Sequence, residues 1–156
     1  DSQHGDGTEE ILADRPGVRF LSLFQWQLFP HRRMEPTPSN AVLSPLPAGA
    51  GGEEIRNVVE NVWLPEIDKF QPDLMILSAG FDAHCEERIA QLKAGEMDYA
   101  CVTRLLVEAS FAYCEGRLVS VLEGGYELRS LARSVFTHLQ GLIRNPLPAE
   151  TCKDPN

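Results

Sequence analysis

Two residues follow short apolar runs at points where glycine breaks the pattern, and both carry groups that can do chemistry. Asp82 comes after Gly80-Phe81, and Tyr126 after Gly124-Gly125. A carboxylate leaving a buried strand can ligate a cation or trade a proton, and it can equally cap a turn. A tyrosine after paired glycines offers a phenol hydroxyl, or simply a packing ring at a helix start. His4 and His84 add imidazoles suited to metal binding, proton transfer or plain structural hydrogen bonding. Gly49-Ala-Gly-Gly52 precedes a helical pattern and could cradle a phosphate, but no Lys-Ser/Thr follows, so it reads as a turn. His31-Arg32-Arg33 could meet a phosphate or an acidic tail, but reads better as a solvated loop. The four cysteines show no CxxC pairing, which argues against a zinc knuckle or disulfide framework and for reduced core thiols.

The chain that must position these groups has 156 residues, enough for one domain with a core. It is 43% hydrophobic and 24% charged, which excludes wholesale disorder. Fourteen basic against 23 acidic residues give a net charge of −9, a poor match to nucleic-acid phosphates, so no direct nucleic-acid contact is expected. No apolar run reaches the roughly 18–20 residues that cross a bilayer, and no membrane association is expected. No basic-then-apolar stretch opens the chain, so the expected location is intracellular, cytoplasmic or nuclear, with an organelle equally open.

The elements alternate. Phe20–Leu23, Leu74–Leu77 and Leu118–Leu122 read as strands of one mostly parallel sheet, with Ala41–Leu46 as a short edge strand because of Pro45. Helices are expected near 53–70, 97–114 and 128–143. Pro65 should kink the first. The last carries the apolar stripe Leu128, Leu131, Val135, Leu139 and Leu142. The fold class is α/β, a mostly parallel sheet flanked by helices, over residues 1–144, with 145–156 a tail or linker. In such sheets the chemistry sits on loops at the C-terminal ends of strands, where Phe24, Asp82 and Gly124-Gly125-Tyr126 all fall.

Four blocks carry a resemblance, one of them the strand segment Phe20-Leu-Ser-Leu-Phe-Gln25. Asp1-Ser-Gln-His-Gly-Asp-Gly-Thr8 is similar to the Asp-x-His-His-Gly-Asn/Asp-Gly-Thr segment of the histone deacetylase and acetylpolyamine amidohydrolase family. Pro72-Asp-Leu-Met-Ile-Leu-Ser-Ala-Gly-Phe-Asp-Ala-His84 resembles its "PDLVLVSAGFDAH" block, and Val119 to Leu128 its "LEGGY" block, most nearly as in class II and bacterial members. The resemblance implies an arginase/deacetylase-like fold, present here as the C-terminal half, with the half carrying the general-base histidine pair absent. It places the metal ligands on Asp1, on Gln3 (where the family has His) and on Asp82. It puts the oxyanion-binding tyrosine on Tyr126, substrate-lining glycines on Gly80, Gly124 and Gly125, and a monovalent cation, potassium, beside Ser22 and Leu23.

The implied activity is zinc-dependent hydrolysis of acetyl-lysine or acetyl-amine amides, since zinc lowers the pKa of bound water to about 7. The implied substrates are acetylated proteins or polyamines. Departures cluster on the expected rim. Gln3 replaces an imidazole, leaving an oxygen-rich set better suited to hard cations. Phe24 stands where the family has His, and Glu86-Glu-Arg88 where it has Asp-Pro. This chain alone is therefore expected to be inactive. Two other readings are a pseudoenzyme acting as a structural or interaction subunit, and a stand-alone acyl-amide-binding module. Beginning at Asp1 inside a motif, the chain is expected to be a fragment. Half of an α/β domain should leave an apolar face and sheet edge for the missing N-terminal half or another chain.

Overall fold

The computed structural model describes residues 1–31 and 36–143. The tail 145–156, the boundary at 144, Cys152 and the Arg32-Arg33 part of the basic patch lie outside the described residues. Strand β1 (Phe20–Gln25) follows helix α1 (Asp6–Leu12) and pairs in parallel with β2 (Ala41–Leu46), Phe20 opposite Ala41. Strand β3 (Met75–Ala79) pairs in parallel with β4 (Leu118–Leu122), Met75 opposite Leu118. The two pairs are separate two-stranded sheets, which corrects the expectation that all three main strands share one sheet. Among the described residues no strand hydrogen-bonds across from one pair to the other. What joins them is the Asp1–Gln3 segment: the Gln25 amide donates to the Ser2 carbonyl at 2.9 Å, while the Ser2 amide donates to Asp82 at 2.8 Å.

The first long helix runs as expected, but in three parts: α2 (Gly52–Val58), a π-helical turn (Val59–Trp63) and α3 (Leu64–Phe70). The Leu64 amide reaches back to the Val59 carbonyl, five residues away, just before Pro65. That wider turn accommodates a ring which cannot donate a hydrogen bond, so Pro65 is absorbed rather than ending the helix. Helix α4 (Glu96–Cys114) is buried along most of its length, and α5 (Leu128–Leu142) packs on it. Met75, Leu77 and Leu118 point inward against Val59, Ile67 and Leu106. Alternation then leaves Ile76, Val119 and Val121 exposed on the opposite face.

Helix α5 is turned from its expected orientation, with Leu131, Val135 and Leu142 of the stripe only half-buried. Its buried face is Ser130, Ser134 and His138, spaced four apart, while Leu128 and Leu139 are exposed. Small side chains let α5 approach α4 closely, and His138 is held by hydroxyls at both nitrogens, Thr103 at 2.7 Å and Ser120 at 2.8 Å. Cys85 and Cys114 are free thiols, but Cys101 is disulfide-bonded, against the expectation of reduced thiols.

Candidate active site

The loops leaving β3 and β4 are fastened together. The Glu123 amide donates to the Ala79 carbonyl at 3.0 Å and the Phe81 amide to the Gly124 carbonyl at 2.8 Å. Asp82 is thereby carried under the Gly124-Gly125 turn, where it is 2% exposed. A Cβ on Gly124 would lie 2.8 Å from the Asp82 carboxyl carbon, and one on Gly80 would lie 2.6 Å from the Asp1 Cα. These glycines are required by the close approach of backbone to the two aspartates. Gly125 adopts φ +132°, a conformation that L side chains rarely take.

Asp1, Ser2 and Asp82 meet on this rim. Both oxygens of the Asp82 carboxylate are engaged by one residue, Ser2, through its amide at 2.8 Å and its hydroxyl at 2.5 Å. The Asp1 carboxylate accepts the Gln3 amide at 2.9 Å, and the Gln3 side chain is half-buried. Tyr126 emerges two residues after Gly124 and is 62% exposed. Its backbone amide and that of Glu127 both donate to the Glu87 carboxylate, at 2.6 and 2.8 Å. Burial, with the Asp82 charge next, raises the pKa of the neighbouring Tyr99 phenol and keeps it protonated.

The remaining sequence candidates have structural partners. His4 is buried against Phe24, ring centroids 4.6 Å apart, with Ser22 Oγ at 2.9 Å from Nδ1 and Glu9 on Nε2. Ser22 thus spends its hydroxyl on His4, and Leu23 packs on the core cluster around Leu46 and Leu92. His84 is buried, stacks on Tyr99, and accepts the Glu86 amide on Nδ1 at 3.1 Å. That bond leaves the ring proton on Nε2, which faces Glu96 at 3.4 Å. His84, Glu86 and Glu96 lie close enough to hold a metal ion. The Arg133 guanidinium is bonded to both glutamates, so the cation this cluster holds is an arginine side chain.

The scaffold is α/β with parallel strands, and its fold is that of the deacetylases. The sequence matches the histone deacetylase domain over residues 1–142, and the chain belongs to that family. It is 33% identical over 152 residues to histone deacetylase 14, chloroplastic, of Arabidopsis thaliana, covering 92% of this chain and 35% of that protein. A probable deacetylase of Archaeoglobus fulgidus is 35% identical over 134 residues, covering 82% and 37%. Human polyamine deacetylase HDAC10 is 32% identical over 163 residues, covering 95% and 23%. The crystal structure of the HDA15 HD domain superposes with a TM-score of 0.82 at 28% identity, over 97% of this chain and 46% of that one. The chain therefore spans about a third of the first relatives' length and is a partial deacetylase domain.

The family's zinc chemistry asks for an imidazole and two carboxylates. The donors here are the amide of Gln3, an Asp1 carboxylate bonded to the Gln3 backbone, and an Asp82 carboxylate whose oxygens both serve Ser2. This set does not fit a firmly held zinc ion. Sequence reasoning did not identify Ser2, Glu87 or Arg133. Ser2 sits at the variable position of the first motif. Glu87 stood out only as a departure from Asp-Pro, and Arg133 only as part of a helix.

Proposed function

We propose that this chain is a deacetylase-like half-domain that does not hydrolyse amides as it stands. The observation that carries the reading is Gln3 at the imidazole position, beside an Asp82 whose carboxylate is already satisfied by Ser2. Tyr126 remains, backbone-held and side-chain-exposed, as the group offered to the carbonyl of an acetyl-lysine or an acetylated amine. The potassium position expected at Ser22 and Leu23 is proposed as weak, because the Ser22 hydroxyl is taken by His4. The test is zinc content and deacetylation of acetyl-lysine peptides by the full-length protein. Bound zinc with turnover would contradict the reading.

The open apolar face favours an assembly role beside this. Ile76, Val119 and Val121 are exposed on the face of the β3–β4 pair turned away from the core. Solved deacetylase domains carry about as much chain again as is present here, and we assign this face to the other half of a deacetylase domain. An intracellular setting, with an organelle included, is proposed on the same family grounds.

A further inference from the structure

We infer that Glu87 is a positioning residue for Tyr126, an inference that rests on the reading of Tyr126 as the carbonyl-facing group. Glu87 sits in the loop that leaves β3 and carries Asp82. Its own amide donates to the His84 carbonyl at 3.0 Å, which turns the loop back toward the β4 side. From there a single carboxylate oxygen, Oε1, accepts the amides of Tyr126 at 2.6 Å and Glu127 at 2.8 Å. These two amides stand just ahead of α5, where no helical carbonyl can take them.

The Tyr126 ring is mostly exposed, so side-chain packing does little to hold it. Gly125, immediately before it, has backbone freedom that other residues lack. Its direction must therefore come from the backbone, and Glu87 supplies a charged acceptor at that point. The Gly124 carbonyl, bonded to the Phe81 amide, fixes the other side of the turn. Glu87 thus ties the tyrosine to the same loop that presents Asp82, so the two groups move as one unit. The Glu86-Glu87-Arg88 segment, read from sequence as a departure from the family pattern, has a specific task on this rim.

The test uses the full-length protein and two readouts. The first is amide exchange at Tyr126 and Glu127 in the wild type, Glu87→Ala, Glu87→Gln and Arg133→Ala. The second is affinity for an acetyl-lysine peptide in the same proteins and in Tyr126→Phe. Glu87→Ala should exchange these amides about tenfold faster or more, the change expected for losing hydrogen bonds to a charged group. It should weaken peptide binding by a similar factor. Glu87→Gln keeps an acceptor oxygen and should restore most of both. Arg133→Ala loosens Glu86 but not Glu87, and should leave the two amides protected. Unchanged protection in Glu87→Ala overturns the inference whatever the binding result. Faster exchange with unchanged binding, where Tyr126→Phe does weaken binding, overturns it also. If Tyr126→Phe binds like the wild type, the reading of Tyr126 fails, and amide exchange alone decides whether Glu87 holds the turn.

Discussion

Ser2 holds Asp82 by both carboxylate oxygens, its amide on Oδ1 at 2.8 Å and its hydroxyl on Oδ2 at 2.5 Å. The two residues are 80 positions apart and almost fully buried, so this pair fastens the first motif to the loop after β3. It also joins β1 to β3, because the Ser2 carbonyl takes the Gln25 amide. Ser2→Ala keeps the amide bond to Oδ1 but should destabilise the protein by about 1–3 kcal/mol, the cost of leaving the other oxygen of a buried carboxylate without its hydroxyl partner. Denaturant unfolding of the two proteins measures it, and a midpoint unchanged from wild type would show that the pair carries no stability.

The glycines on the rim differ sharply in what they tolerate. A Cβ on Gly124 meets the Asp82 carboxyl group at 2.8 Å, whereas one on Gly7 in α1 meets nothing within 4 Å. Gly124→Ala should cost about 1–3 kcal/mol by overpacking. Gly7→Ala should be neutral or stabilising by up to about 1 kcal/mol, as alanine is the better helix former. Thermal unfolding of both variants checks the contrast in one experiment.

His138 gives the fold a pH dependence of definite sign. Burial lowers its pKa from the ordinary value of 6.5, and both ring nitrogens are already matched to hydroxyls. The folded protein holds the ring neutral where the unfolded chain takes up a proton. Its contribution to stability is full above about pH 6.5 and is lost as pH falls through the window below. His138→Gln should flatten the difference in unfolding midpoint between pH 7.5 and pH 5.5. An equal slope in both proteins would contradict this.

Arg133 bridges Glu86 and Glu96, but all three side chains are partly solvated. Arg133→Ala should therefore cost no more than about 1 kcal/mol. The loss should shrink further in 1 M salt, where the screening length is about 3 Å. Unfolding curves at low and high salt measure it.

Much of this architecture is legible in the residues. The apolar runs at 20–23, 74–77 and 118–122 lie in or overlap strands, and period-3.6 patterns became α4 and α5, although in α5 the pattern did not predict which side is buried. The motif blocks named Asp1 and Asp82, and the segment carrying Asp1 lies against the loop carrying Asp82, fastened by the Ser2 amide. What was not legible depends on contacts between distant segments. Nothing local distinguishes Leu128 and Leu139, which are exposed, from Leu106, which is core. The separation of the two strand pairs depends on which neighbours are present, not on the strands themselves. Ser2 and Glu87 act through hydrogen bonds spanning 80 and 39 residues, with no sequence signature.

On the proposed reading, Gln3 leaves this rim unable to keep zinc. This is tested most directly by the metal content of the full-length wild-type protein and of Gln3→His, each dialysed against the same buffered zinc. The wild type should retain well under one zinc per chain. Gln3→His should take up more, because an imidazole restores the third protein ligand. Stoichiometric zinc in the wild type, with Gln3 in place, would contradict the account.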